Sequence, residues 1–215
     1  MFAGRRFEAV VFDMDGLLLD SERPIRDAWL RLSAEAGRPL TEADYLLTVG
    51  RNRADCLALL SEHFGSRADA EAMYEAVDAS LAPFALMPGA LALLRALQAR
   101  GLRCTVASST RHTEVLRRLR AVGIHDFFGP IHGGDQVARG KPHPDLFELA
   151  AASLGIHPAK ALVFEDSSYG AQGALTAGMG VVLVPDLKRP EADIASRCVV
   201  LESLEHALPH LPSWF

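Results

Sequence analysis

The stretch VVFDMDGLLLDSE, residues Val10 to Glu22, decides the fold. Three apolar residues, Val10 to Phe12, run straight into Asp13 and Asp15, with Gly16 immediately behind them. A buried strand has no use for either carboxylate, so the two acids belong at its exposed end. Three further β-rich runs share this apolar character: LRCTVAS before Ser109, KALVF before Glu165 and GVVLV before Pro185. Helical patterning separates them, in LALLRALQARG, EVLRRLRAVG, PDLFELAAASLG and YGAQGALTAG, each stopping at a glycine as a C-cap would. Strand and helix in regular alternation predict an α/β fold, a Rossmann-like parallel sheet covered on both faces.

The interval from Leu18 to Pro83 breaks that rhythm. It carries amphipathic text (RDAWLRLSAEAG, RADCLALLSEHFG, ADAEAMYEAVDASL) and no convincing strand. The expected division is therefore a core of residues 1–17 and 84–215 with an all-helical insert, 18–83, entered near Leu17 to Ser21 and left near Ala82 to Pro88. No repeat or low-complexity tract interrupts the chain. With 215 residues, 49% of them apolar, it can bury one good core, or a core and a small appendage.

A net charge of −5 and a pI near 5.9 provide no overall basic field, which argues against nucleic acid or a membrane surface as partner. The basic run RHTEVLRRLR alternates with Val115, Leu116 and Leu119 at helical spacing and reads as a solvated helix face. The start of the chain fails as a secretory signal, and no segment has the about 18 uninterrupted apolar residues of a membrane helix. Cys56, Cys104 and Cys198 are odd in number, far apart and without Cys-x-x-Cys spacing, so a reducing, cytoplasmic setting and a monomer are expected.

Ligands of open parallel sheets gather outside the carboxyl ends of the strands. There the chain delivers Asp13 and Asp15, then Ser108 with Ser109 and Thr110 behind it, then Lys141 from ARGKPHP, then Glu165 and Asp166. Carboxylates facing one another repel unless a cation lies between them, and hard oxygen ligands select Mg²⁺, which favours a site shared with phosphate. A lysine and a serine nearby would hold phosphoryl oxygens. If Asp13 attacks phosphorus, Asp15, two residues on and on the same face of an extended segment, can protonate the leaving oxygen and later deprotonate water. Gly16 lets the backbone turn tightly toward the ligand, and Asp20 and Ser21 are expected to cap the helix that follows.

On these residues the chain resembles the haloacid dehalogenase-like phosphohydrolases, in the sugar-phosphatase and β-phosphoglucomutase branch with a helical cap. DMDGLLLDSE matches the first motif of that family, TVASS the second, GKPHPDLF the third and VFEDSSYG the fourth, in order and across essentially the whole chain. The resemblance implies Asp13 as nucleophile and Asp15 as general acid/base whose backbone carbonyl also binds Mg²⁺. It implies Ser108 and Lys141 on the phosphoryl group, Asp166 as a direct metal ligand, and Glu165 ligating directly or through water. The segment GRNRADCL resembles the cap loop, with Arg53 where an arginine can meet a second phosphate or form a cap ion pair.

The expected activity is hydrolysis of a small phosphorylated metabolite, a sugar or nucleoside phosphate. Mutases of the branch carry a histidine on the first cap helix, where DSERPIRDAW has Ile25. A receiver-like phospho-acceptor would lack the insert, and a dehalogenase would not need Asp15. The eight histidines, His112, His132 and His143 among them, show no ligand spacing and read as surface or supporting groups. Gly133 and Gly134 read as a chain turn, and Trp29 as core of the insert.

Overall fold

The computed structural model describes residues 2, 4–51 and 53–215. Among them the strands are β1 (Ala9–Phe12), β2 (Leu19–Asp20), β3 (Ala85–Leu86), β4 (Arg103–Ser108), β5 (Ile131–Gly133), β6 (Ala161–Glu165), β7 (Gly180–Leu183) and β8 (Val199–Val200). Six form one sheet of order β5-β4-β1-β6-β7-β8, every neighbouring pair parallel. The strand order reverses at β1, which makes its carboxyl end the topological switch point of an open sheet. The sequence predicts β1, β4, β6 and β7; the edge strands β5 and β8 are too short to display a period-two pattern.

Side chains alternate across the sheet. Val10 and Phe12 enter a cluster with Leu93, Leu94 and Leu97 of α5 (Ala90–Ala99) and Val115 and Leu119 of α6 (His112–Ala121). Val11 enters the opposite cluster with Phe147 and Ala150 of α7 (Asp145–Ser153) and Ala171 and Ala174 of α8 (Ser168–Thr176). Burial on both faces is why these strands read as unbroken apolar runs. The four helices end as expected: at the close of α5, Gly101 takes φ +67°, so that Leu102 N–H reaches back to Leu97 O and Gly101 N–H to Gln98 O. No described helix is long and apolar enough to cross a membrane.

Between β2 and β3 lie α1 (Glu22–Glu35), α2 (Glu42–Leu46), α3 (Arg53–Phe64) and α4 (Arg67–Ser80). They bury a cluster of their own around Trp29, Tyr45, Leu57, Leu60 and Phe64. Trp29 meets Tyr74 edge-on at 4.8 Å, the core position expected of it. Leu18 and Leu19 instead pack with the sheet's cluster. The interval beginning at Leu18 is not wholly helical, because Leu19–Asp20 pairs antiparallel with Ala85–Leu86 in a two-stranded ribbon. Two residues are too few to register as a strand in the sequence, and their partner lies more than sixty positions away.

Two local expectations are corrected. Ser21 occupies the N-cap of α1 without capping it; fully buried, its hydroxyl donates to Asp15 Oδ1 at 2.8 Å, while Asp20 lies in β2 and accepts from Arg23. Gly133 and Gly134 do more than turn the chain. A Cβ on Gly133 would lie 2.2 Å from His112 N and one on Gly134 2.5 Å from Ser109 O, so their bareness lets the loop before α6 press against the end of β5. His132, in β5, is of the buried, supporting kind, with Nε2 2.9 Å from Ser153 Oγ.

Candidate active site

Asp13 directly continues β1: its N–H bonds to Phe164 O, which carries the carboxylate over the carboxyl edge of the sheet. Gly16 then reverses the chain at φ +76°, and a Cβ there would sit 2.6 Å from Asp166 Oδ2, so only glycine lets the loop close against that acid. Asp13, Glu165 and Asp166 bring one oxygen each within 4.8 Å of one another, all buried. Lys141 reaches them from the loop before α7, its Nζ 2.5 Å from Asp13 Oδ1 and 2.5 Å from Glu165 Oε1.

With all three acids ionised, three carboxylates and one ammonium would leave two net negative charges among buried side chains. Burial, the nearby charge of Glu165 and that of Asp15 push the Asp13 carboxyl up to about 8 against the pull of Lys141. Burial, with Glu165 and Asp13 beside it, also holds Asp166 well above the ordinary carboxylate range. Burial alone would lower Lys141, but the charges of Asp13 and Glu165 outweigh it and its pKa rises. The donor set, all oxygen with a residual charge of −2, fits a hard divalent cation such as Mg²⁺.

Glu165 has both oxygens engaged: Oε1 by Lys141, Oε2 by the N–H and hydroxyl of Ser167, at 2.9 Å each. Gly170, in the first turn of α8, makes room for it, since a Cβ there would fall 1.7 Å from Glu165 Oε1. Gly170→Ala would gain about 1 kcal/mol of helix propensity, yet the clash costs about 1–3 kcal/mol and displaces the partner of Lys141. We expect a lower melting temperature together with at least about tenfold lower kcat, read by thermal denaturation and phosphate release.

Asp15 stands outside this cluster. Its Oδ1 accepts from Ser21 Oγ and from Arg118 Nη1, and its Oδ2 from Thr110 Oγ1, all at 2.8 Å. Only its backbone carbonyl remains in question as a metal ligand. Ser108, the last residue of β4, is buried with its Oγ accepting from Thr110 N–H; the buried Ser109 Oγ has no partner among the described residues. Arg53, in the segment GRNRADCL whose Asn52 lies outside the described residues, packs its guanidinium 4.4 Å over Tyr74 and stands 3.6 Å from Asp78 Oδ2. It forms a cap ion pair while also bordering the cleft.

Asp13, Asp15, Ser108, Ser109, Thr110, Arg118, Lys141, Glu165, Asp166 and Arg53 line one cleft of about 130 Å³, closed on one side by the sheet's edge and on the other by Ile25, Trp29, Tyr45 and Asp78 of the inserted helices. A second cavity, of about 460 Å³, shares Arg53, Ser109 and Arg111 with it.

Four residues of the cleft escape the sequence reading. Arg118 is no solvated residue of a basic face: its side chain is 6% exposed and bound to Asp15, while its neighbour Arg117 faces out and pairs with Glu114. The signal was present, because Arg118 follows Val115 by three and so shares the buried stripe of α6. Glu22, buried beside Asp15, accepts from Tyr45 OH at 2.8 Å, and burial followed by the charge of Asp15 raises it to about 7. Nothing in the sequence singles out Tyr45 or Asp78, whose places depend on how the inserted helices pack.

A family model described as haloacid dehalogenase-like hydrolase matches residues 7–178. A phosphorylated carbohydrates phosphatase of Thermotoga maritima is 32% identical over 177 residues, 80% of this chain and 82% of that protein. The validoxylamine A 7'-phosphate phosphatase of Streptomyces hygroscopicus subsp. limoneus is 29% identical, over 95% of this chain and 98% of its own. Among solved structures, CbbY from Rhodobacter sphaeroides in complex with phosphate superposes with a TM-score of 0.77 at 27% identity, covering 94% of this chain and 96% of that one. The family model runs from before β1 to the end of α8, taking in the inserted helices, the acids Asp13, Asp15, Glu165 and Asp166, and Lys141, and the chain belongs to the haloacid dehalogenase-like hydrolases.

Proposed function

We propose that this chain is a Mg²⁺-dependent phosphomonoesterase that hydrolyses a small phosphorylated metabolite, a sugar or nucleoside phosphate, through an aspartyl-phosphate on Asp13. The observation that carries this reading is the pairing of a buried acid cluster around one ammonium with a separately held carboxylate, Asp15, in the same cleft. Asp13 attacks phosphorus, forming an O–P bond as the bond to the leaving oxygen breaks, and Asp15 donates the proton that oxygen needs. Lys141, Ser108 and Ser109 hold the phosphoryl oxygens. Asp15 then takes a proton from water as the water attacks phosphorus, Asp13 is released and inorganic phosphate departs.

Asp13, Glu165, Asp166 and the Asp15 carbonyl would hold the Mg²⁺, which when bound would cancel the residual charge that otherwise repels a phosphate dianion. Glu165, with both oxygens already engaged, would contribute directly or through water. Residues 18–83 act as a cap over a core of 1–17 and 84–215, and its closure excludes water while the phosphoryl group moves. Ile25, apolar and lining the cleft, favours hydrolysis over phosphate transfer between positions of one sugar.

The test is a phosphate-release screen over sugar phosphates and nucleotides, run with Mg²⁺ and with EDTA. Release with Mg²⁺, its loss in EDTA and free phosphate from glucose 1-phosphate are expected. Conversion of glucose 1-phosphate to the 6-phosphate, or turnover indifferent to EDTA, would overturn the proposal.

A further inference from the structure

We propose that Arg118 is a positioning residue that aims the Asp15 carboxylate at the leaving oxygen and ties that aim to the inserted helices through Asp78. The guanidinium rises from α6 on the sheet's side of the cleft, donates from Nη1 to Asp15 Oδ1 at 2.8 Å and places Nη2 3.7 Å from Asp78 Oδ1 on α4. It lies 5.1 Å over the Phe84 ring, at the point where the chain returns from the insert. Its Nε is buried without a hydrogen-bond partner among the described residues, 4.0 Å from Glu114 Oε2. A cation so enclosed is held by packing as well as by charge.

The consequence lies in how Asp15 is held. Ser21 and Thr110 supply one donor to each of its oxygens. Small hydroxyls on a turn and a loop can follow the carboxylate as it rotates. A planar guanidinium held between Phe84, Asp15 and Asp78 cannot, so its one bond from Nη1 fixes the place of Oδ1. Because Asp78 belongs to α4 and Arg118 to α6, the clamp is complete only while the inserted helices sit over the sheet's edge. The acid is thus correctly aimed only in a covered cleft.

This inference rests on the reading of Asp15 as the acid that protonates the leaving group. It is tested by comparing kcat on p-nitrophenyl phosphate, whose phenolate departs without a proton, with kcat on a sugar phosphate, whose alkoxide does not. Arg118→Ala is expected to lower kcat on the sugar ester by about 10²-fold and on the aryl ester by less than about fivefold, with KM nearly unchanged. Arg118→Lys, which keeps the charge without the fork, recovers part of the loss, and Asp78→Asn shows the same selectivity more weakly. Adding Arg118→Ala to Asp15→Asn costs nothing further on the sugar ester.

Equal losses on the two esters, or additive losses in the double variant, would overturn the role of Arg118. If Arg118→Ala fails to fold, the ratio of the two rates in Arg118→Lys decides. If Asp15→Asn itself does not distinguish the esters, the reading of Asp15 falls; if it does and the Arg118 variants do not, only the present proposal falls. A normal ratio in Asp78→Asn would remove the link to the inserted helices.

Discussion

Asp13→Asn is expected to lower phosphate release by at least about 10³-fold while the protein stays folded. Asparagine has nearly the shape of aspartate, and what disappears is the attacking charge. Lys141 keeps Glu165 as a partner at 2.5 Å, and the charge of the cluster falls from −2 to −1, so relief of repulsion offsets the lost ion pair. The melting temperature should therefore move by no more than about 5 °C. Circular dichroism checks the fold and a malachite-green assay the rate. A folded variant retaining more than a few per cent of the activity would show that some other group attacks phosphorus.

Lys141→Met removes the one ammonium of the cluster and should cost more stability than any other single change at the site. Methionine can fill the volume beside Phe147, whose ring lies 5.2 Å from Nζ. The charge is the issue. Breaking a buried pair by deleting one partner costs about 3–5 kcal/mol, because Asp13, Glu165 and Asp166 are left facing one another. The loss depends on pH in a direction that can be worked out. Asp13 is raised from 3.8 to about 8, so the folded protein binds its proton more tightly than the unfolded chain does. Stability from such a group is full below the unfolded value and drains away between about 4 and about 8, by up to about 1.4 kcal/mol per pH unit.

Lys141 opposes that drain by holding the carboxylate form of Asp13; without it Asp13 is raised further and the drain reaches higher pH. In EDTA, the gap in melting temperature between wild type and Lys141→Met should widen from pH 5 to pH 9, and added Mg²⁺ should narrow it. A gap constant across that range would mean that the ammonium is not the counter-ion of the acids. Turnover should fall by at least about 10²-fold at every pH.

How much of this is legible in the sequence depends on whether the signal is local. Val10 to Phe12, Cys104 to Ala107 and Leu162 to Phe164 announce strands because burial on both faces makes each a continuous apolar run. Asp13, Lys141, Glu165 and Asp166 stand out because each breaks such a run or follows a tight turn, and the parallel topology then carries all four to one edge. Arg118 is lost among Arg117 and Arg120, since one buried charge in a row of exposed ones looks like its neighbours. Asp78 and Tyr45 are invisible for another reason. Their partners, Arg118 and Glu22, lie forty and twenty-three positions away and meet them only through the packing of the inserted helices.

The ribbon of Leu19–Asp20 with Ala85–Leu86 ties together the points where the chain leaves the sheet and comes back to it. The two ends stand one strand spacing apart, about 5 Å. A tight hairpin joining them could replace everything in between, and a foreign helical cassette could be grafted onto the same two rungs, without shifting the register of β1 against its neighbours. If the inserted helices recognise the organic half of the substrate, that recognition and the cleavage of the ester are separable along the chain, and the first could be exchanged wholesale while the second stays put.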